Sequence, residues 1–160
     1  MPRTKTAAPE TDLMFLLSWA SHALATEQTA GLADLGITPR AHCVLYKALD
    51  GTRTQRELAD MCGLDKTTMV VTMDELEKAG LAERRPSATD RRARIIHVTA
   101  KGLEVIAAAN EIVERIQDDV LSSLPARQRE AFTGALITLV NDRLASLVPC
   151  ERPPRRPSAK

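Results

Sequence analysis

Residues 52–102 read TRTQRELADMCGLDKTTMVVTMDELEKAGLAERRPSATDRRARIIHVTAKG, and this stretch decides the fold. Thr54 and Glu57 are three residues apart, which is the pattern of a capping box. In such a box the hydroxyl and the carboxylate satisfy the unpaired amides at the start of a helix. Leu58 and Met61 follow at helical spacing, and the pattern predicts that both point inward.

A turn and a second helix follow at once. Gly63 can adopt a positive φ where the chain must turn, and Asp65 is placed to cap the next helix. Two helices joined by so few residues must cross steeply, as in a helix-turn-helix. The second helix has an apolar stripe formed by Met69, Met73 and Leu76. Its outward face starts with a cation and continues with small side chains. These residues are Lys66, Thr67, Val70 and Val71.

The chain beyond Gly80 predicts a basic hairpin. Residues 86–90 have turn chemistry, and residues 91–98 form a short β-rich run. Residues 83–94 contain five Arg against two acidic residues, a local net charge of +3 in a chain whose net charge is only +1. A charge run alone also fits an ordinary solvated hairpin. A basic hairpin directly after a helix-turn-helix instead predicts a winged helix-turn-helix, whose partner is double-stranded DNA.

The same stretch resembles the MarR family of bacterial transcription regulators. The matching segments are LDKTT at residues 64–68, LEKAGLAER at 76–84, TDRRA at 89–93 and TAKG at 99–102. Because helical patterns flank them on both sides, the resemblance extends over roughly residues 11–148. It implies an obligate homodimer that binds a pseudopalindromic operator.

The resemblance also implies roles for individual residues. Thr67 and Thr68 match a hydroxyl pair that lies against bases and phosphates, and Arg91 and Arg92 match a wing tip whose shape Asp90 holds. Arg suits a narrow minor groove because its weakly hydrated fork can be inserted there. The complete set of predicted DNA contacts is Lys66, Thr67, Thr68, Val70, Val71, Thr72, Thr38, Arg40, Thr54, Arg56, Arg84, Asp90, Arg91, Arg92 and Arg94.

Val71 departs from the family pattern, in which this position often carries Arg. An Arg there could read guanine through two hydrogen bonds, whereas Val can only contact a thymine methyl. We therefore expect an operator that is richer in A/T, or one that is read more through its shape.

Four more helices are predicted outside the stretch. The first ends near Gly31. The second begins at Pro39, where the missing proline amide costs nothing because the first amides of a helix have no partner within it. The third runs from Thr99 to about Ser122, and the last begins at Pro125. The apolar side of the second comprises Ala41, Val44, Leu45, Ala48 and Leu49. The last contains Phe132, Leu136, Leu139, Val140, Leu144 and Leu147.

These helices carry more apolar residues than one small winged domain needs. Dimerisation through the terminal helices explains the excess, and packing of the last helix on the chain's own long helix is the alternative. The predicted dimer contacts are Leu13, Leu16, Leu17, Phe132, Leu136, Leu139, Val140, Leu144 and Leu147. The predicted fold is thus mainly α, with a winged helix-turn-helix DNA-binding lobe, a two-stranded wing and a dimerisation lobe of N- and C-terminal helices.

Composition is consistent with one domain over residues 11–148, with a DNA-binding lobe at about 38–98 and dimerisation helices at about 11–31 and 100–148. The chain has 160 residues, of which 44% are hydrophobic and only 2% aromatic, so the core must be aliphatic. No run is long enough for a membrane span, which predicts a cytoplasmic protein that is nucleoid-associated when bound to DNA. Residues 1–10 and the basic residues 149–160 lack periodicity and are predicted to be disordered tails.

The few aromatic residues suggest a small-molecule site, and the family resemblance implies an aromatic or phenolic effector. They lie at helical spacing near the start of the chain, beside polar side chains that could orient a ligand. Such spacing is also common in cores and dimer interfaces. The proposed lining is Phe15, Trp19, His22, His42, Tyr46, Ile106 and Asn110.

The chain has an odd number of cysteines and no closely spaced pair, so structural disulfides are not expected. The three cysteines are Cys43, Cys62 and Cys150. Inert packing is the expected state of Cys43 and Cys62, and a thiol-based redox sensor of the same fold is an alternative function. The three histidines, His22, His42 and His97, are scattered, so neither a metal nor a cofactor is predicted.

The sequence predicts no enzyme, because it has no phosphate-binding glycine loop, nucleophile elbow or metal-ligand motif. The predicted function is a sequence-specific DNA-binding regulator, a repressor released from its operator by a small ligand. A winged-helix module that binds protein is a further alternative, favoured by Val70 and Val71 and opposed by the arginine-rich wing.

Overall fold

The computed structural model describes residues 12–146, so the predicted tails, Leu147 and Cys150 lie outside the described residues. In chain order the helices and strands are α1 (Leu13–Leu32), α2 (Pro39–Lys47), α3 (Gln55–Met61), α4 (Lys66–Lys78), β1 (Ala82–Pro86), β2 (Arg94–Val98), α5 (Ala100–Ser122) and α6 (Ala126–Asn141). A single 3₁₀ turn, Ala33–Leu35, follows α1. The predicted mainly α winged helix-turn-helix fold is confirmed.

Side-chain caps fix where the helices of this motif begin. The Thr38 hydroxyl accepts a hydrogen bond from the Ala41 amide at 3.1 Å, directly before Pro39 opens α2. Thr54 and Glu57 form the predicted capping box of α3. The hydrogen bonds that the Glu57 carboxylate accepts from the Thr54 amide and hydroxyl hold the pKa of this carboxyl below its usual range. Gly63 adopts a φ of 62° in the turn before α4, as predicted.

The wing is an antiparallel pair in which Ala82 lies opposite Val98 and Pro86 opposite Arg94. The segment just before α3 also bonds to β2 of the wing, because the Ile96 amide donates to the Arg53 carbonyl at 3.0 Å. The wing is therefore tied to the start of the helix-turn-helix.

An aliphatic core holds these elements together. Its largest fully buried side chains are Leu32, Val44, Leu45, Leu58, Met69, Met73, Leu76 and Ile96. The predicted inward stripe of α4 is confirmed. Two expected core residues are exposed instead: Met61 is 44% exposed at the last position of α3, and Leu49 lies beyond the end of α2.

The chain divides into two compact units, the first ending at Gln117 and the second beginning at Asp118. The first contains the winged helix-turn-helix together with α1 and most of α5. In the second, α6 ends at Asn141, so Leu144 lies outside the helix that was expected to contain it. The predicted division into a DNA-binding and a dimerisation lobe stays a prediction.

Candidate nucleic-acid interface

The start of α4 is organised by Asp65. Its carboxylate accepts hydrogen bonds from the Thr68 amide at 2.8 Å and the Thr68 hydroxyl at 2.6 Å. The hydroxyl and amide of Thr68 hold the pKa of the Asp65 carboxyl below its usual range. Because the hydroxyl proton of Thr68 is committed to Asp65, this side chain can only accept a further hydrogen bond.

Four side chains form an exposed face on the N-terminal half of α4, which we call the α4 face: Lys66, Thr67, Val70 and Val71. They follow the i, i+4 spacing that places residues on one side of a helix. Val71 is 49% exposed and lies one turn beyond Thr67. The face presents one cation, one hydroxyl and two small apolar groups to a partner.

Thr72 does not belong to this face, although it was among the predicted DNA contacts. The side chain is buried, and its hydroxyl donates to the Thr68 carbonyl at 2.8 Å. A Thr hydroxyl inside a helix often bonds to the carbonyl four residues earlier. Thr72 is therefore a packing residue.

The wing tip is a hydrogen-bonded turn built around Asp90. The Asp90 carboxylate accepts from the Arg92 amide at 2.9 Å, and the Asp90 carbonyl accepts from the Ala93 amide at 3.0 Å. The Ser87 hydroxyl accepts from the Asp90 amide at 3.2 Å. These bonds leave the exposed side chains of Arg91 and Arg92 projecting from a defined loop.

A groove of about 750 Å³ separates α3 and the start of α4 from the wing. Four cationic side chains line it against two acidic ones. The cations are Arg56, Lys66, Arg92 and Arg94, and the acids are Asp60 and Asp90. The groove therefore carries a net positive charge, which favours a polyanion.

The remaining predicted contacts lie at the edges of this region. Arg40 is exposed on the first turn of α2, while the Thr38 and Thr54 hydroxyls accept hydrogen bonds at their helix starts. The Arg94 guanidinium donates to the Arg91 and Ala93 carbonyls at 3.0 and 3.2 Å, so it also stiffens the wing.

Arg84 has a different role from the one predicted. Its side chain is only 20% exposed and pairs with Asp74 at 2.8 Å and with Glu77. It also donates to the Gln55 side-chain oxygen at 2.8 Å. These contacts join β1 to α3 and α4 and neutralise the cation, so Arg84 positions α4 and has little free charge to offer a partner.

Arg84→Met is expected to destabilise the protein by about 1–2 kcal/mol, because Glu77 and Gln55 lose a charged hydrogen-bond partner. The partial exposure of the network keeps the effect at this level. Urea unfolding followed by circular dichroism measures it. Arg85→Met is the matched control: Arg85 is exposed and pairs with Glu83 alone, so its loss should change stability by less than about 0.5 kcal/mol. Equal stability of the two variants would refute the positioning role.

The residues predicted to bind an effector lie on α1, α2 and α5. Phe15 and Trp19 stack on α1 with ring centroids 6.4 Å apart, and Trp19 is 64% exposed. On α2, His42 Nε2 lies 2.8 Å from Asn110 Oδ1. Ile106 is buried in the core, so it cannot contact a ligand without rearrangement.

The same prediction included His22 and Tyr46, which extend these aromatic groups. His22 lies 6.4 Å from Trp19 and Tyr46 lies 6.3 Å from His42, measured between ring centroids. None of the seven predicted residues lines the groove beside the wing.

Most of the predicted dimer contacts in the described part of the chain are exposed. On α1 these are Leu13 and Leu16, with Leu17 half-buried. In the second unit Phe132, Val140 and Leu144 are exposed, and Leu136 and Leu139 are half-buried. Each unit thus presents exposed apolar side chains.

Cys43 and Cys62 are nineteen residues apart in the chain, yet their sulfur atoms lie 3.3 Å apart. No local pattern predicts this contact, because it depends on how α2 packs against the end of α3. Both side chains are half-buried.

Comparison with known proteins agrees with this geometry. A family model described as MarR family matches residues 35–93, which cover the helix-turn-helix and the wing tip. The transcriptional repressor CouR bound to a 23-mer DNA duplex is 29% identical with a TM-score of 0.76, and the match covers 87% of this chain and 99% of that one.

Two further solved structures are similar over nearly their whole length. A crystal structure of MarR is 26% identical with a TM-score of 0.76, covering 84% of this chain and 99% of that one. CouR from Rhodococcus jostii RHA1 bound to p-coumaroyl-CoA is 25% identical with a TM-score of 0.74, covering 90% of this chain and 100% of that one.

Within residues 12–146, no helix has the length and apolar character needed to cross a bilayer. The winged helix-turn-helix, the family match over residues 35–93 and the likeness to these regulators agree: this chain is similar to the MarR family of transcription regulators.

Proposed function

We propose that the protein is a homodimeric repressor that binds a pseudopalindromic operator. The observation that carries this proposal is the α4 face beside a cationic groove and an exposed Arg91-Arg92 tip. The α4 face has the size and chemistry to enter a major groove, and the tip can reach the adjacent minor groove. The structure of CouR, a repressor of similar fold, bound to a DNA duplex supports double-stranded DNA as the partner.

The proposed DNA contacts are fewer than those expected from sequence. Lys66 and Thr67 approach phosphates and base edges, Val70 and Val71 contact apolar base surface, and Arg91 and Arg92 contact the flanking minor groove. Arg40, Arg56 and Arg94 add positive charge along the backbone. Thr72 and Arg84 act through packing and positioning.

Dimerisation is proposed from the exposed apolar residues on α1 and in the second unit. A monomer with Leu13, Met14 and Trp19 all more than 60% exposed would present an unusually apolar helix to water. A two-fold dimer covers such residues and supplies two recognition helices to the two half-sites of an operator. Light scattering of the full chain tests this, and a mass of about 17.5 kDa for the monomer alone would refute it.

Selection of binding sites from random DNA duplexes tests the operator. We expect recovery of an inverted repeat whose half-sites lie about one helical turn apart. Because Val71 cannot form the two hydrogen bonds that read guanine, no invariant guanine should lie opposite it. Recovery of unrelated sequences without a repeat would refute sequence-specific binding.

We further propose that an aromatic or phenolic molecule releases the protein from DNA. The exposed Phe15 and Trp19 pair and the His42–Asn110 contact supply aromatic surface and polar groups of the required kinds. The p-coumaroyl-CoA complex of CouR supports an aromatic effector. Moving a population from 99:1 to 1:99 requires about 5.5 kcal/mol of differential affinity, so a weak ligand gives partial release.

Trp19→Ala is expected to reduce the ligand response at least tenfold and to leave DNA affinity within about threefold, because the indole supplies a large apolar contact area. Ligand-induced dissociation from a fluorescent operator, titrated with p-coumaroyl-CoA and separately with salicylate, measures the response. Trp19→Phe is the control, since it keeps an aromatic ring. A full response of the alanine variant to both probes would show that Trp19 does not bind the ligand.

A further inference from the structure

Two thiols meet beside the turn of the helix-turn-helix. Cys43 lies on α2, and Cys62 is the C-cap residue directly after α3. Their sulfur atoms are 3.3 Å apart and share a hydrogen bond. A disulfide has an S–S length of about 2.05 Å, so a shift of little more than 1 Å would bring the two sulfur atoms to bonding distance.

From this contact we infer that Cys43 and Cys62 are a redox-active dithiol, which a hydroperoxide converts into an intramolecular disulfide. The inference goes beyond the proposed function, because the modification can be detected with no DNA present. It also differs from the inert packing expected of these residues from sequence.

The surroundings give the two thiols different roles. The hydrogen bond shared with the Cys62 thiol and the nearby ammonium of Lys47 lower the pKa of the Cys43 thiol to about 6. The hydrogen bond with Cys43 and burial raise the pKa of the Cys62 thiol. Lys47 lies one helical turn beyond Cys43 on α2, so its positive charge favours a thiolate at Cys43. We therefore assign Cys43 as the thiolate that reacts first and Cys62 as the thiol that resolves the product.

The chemistry balances in two steps. The Cys43 thiolate attacks the peroxide, an S–O bond forms, the O–O bond breaks, and the departing alkoxide takes a proton to leave as an alcohol. Cys43 is then a sulfenic acid. The Cys62 sulfur attacks that of Cys43, and the hydroxyl group leaves with the Cys62 proton as water. Two thiols have lost two electrons, and the hydroperoxide has gained them.

The bond would act on the element that positions α4. Cys62 comes directly before Gly63, and the Leu64 amide donates to the Ala59 carbonyl at 2.8 Å within the same turn. A disulfide would attach this turn covalently to α2. Reversible disulfides of this kind occur in reducing compartments as redox sensors.

The test uses the full chain with Cys150→Ser, so that only these two thiols remain. The reduced protein is treated with cumene hydroperoxide, blocked with N-ethylmaleimide and digested with trypsin. We expect mass spectrometry to show residues 41–47 joined to residues 57–66, with a mass about 2 Da below the sum of the two thiol peptides. Dithiothreitol should abolish the linked species.

Two variants in the same background separate the roles of the thiols. Cys62→Ser should accumulate a Cys43 sulfenic acid that dimedone traps. Cys43→Ser should lose its remaining thiol at least about tenfold more slowly than the parent loses its pair. The inference is overturned if both thiols of the parent remain fully alkylated by N-ethylmaleimide after treatment, or if the link forms only between chains on a non-reducing gel.

Discussion

Replacing Arg91 and Arg92 with alanine is expected to weaken binding of the operator by roughly 10- to 1,000-fold at about 0.1 M salt. A dimer loses four cations at the two wing tips. If all four neutralise phosphates, the slope of log affinity against log salt concentration becomes shallower by up to about 3.6. Fluorescence anisotropy titrations at several salt concentrations measure both quantities.

The reason for so large an effect lies in the geometry of the tip. Asp90 fixes the loop by accepting from the Arg92 amide, so the two exposed arginines begin from a defined backbone. Less loop entropy is then lost when they bind. The positive charge of Arg84, by contrast, is paired with Asp74 and Glu77 within the protein.

A charge-matched control makes this result specific. Arg115 and Arg127 are exposed on α5 and at the start of α6, away from the helix-turn-helix sequence. The double variant Arg115→Ala/Arg127→Ala removes the same net charge and should change affinity by less than about threefold. Equal losses in the two double variants would mean that net charge alone, and not the wing, attracts DNA.

The second large effect is expected for Gly102→Ala, which should destabilise the protein by at least about 2 kcal/mol. A Cβ atom at this position would lie 2.1 Å from the Leu81 carbonyl oxygen and 2.7 Å from Val98 Cγ1. The Leu81 carbonyl cannot move freely, because it accepts from the Thr99 amide at 3.0 Å. The first turn of α5 would have to leave the wing.

Gly134→Ala in α6 is the matched control, since no heavy atom lies within 4 Å of a Cβ atom built there. Alanine favours a helix over glycine by up to about 1 kcal/mol, so this variant should be at least as stable as the parent. Thermal unfolding compares them, with an expected fall of roughly 4–8 °C for Gly102→Ala. An unchanged melting temperature for Gly102→Ala would show that α5 does not pack against the wing at this distance.

The sequence was sufficient for features that neighbouring residues decide. The Thr54–Glu57 capping box, the Asp65 cap and the turn at Gly63 depend on spacings of a few residues, and all three are present as predicted. The wing strands follow from a β-rich run bounded by turn residues.

Features that depend on distant contacts were missed. Arg84 looked like one more cation of a basic hairpin until the fold brought Asp74 and Glu77 against it. Thr72 looked polar and outward, but the crossing of α4 over the core buries it. The pairing of Cys43 with Cys62 depends on how α2 packs, which no local spacing encodes.

The most direct test of the central claim compares the full chain on two duplexes at about 0.15 M salt. One carries the inverted repeat recovered by selection, and the other has the same composition in scrambled order. We predict that the selected duplex binds at least about 1,000-fold more tightly, as expected for specific recognition. Equal affinity for both duplexes would contradict the account, because the α4 face and the wing would then attract DNA without reading it.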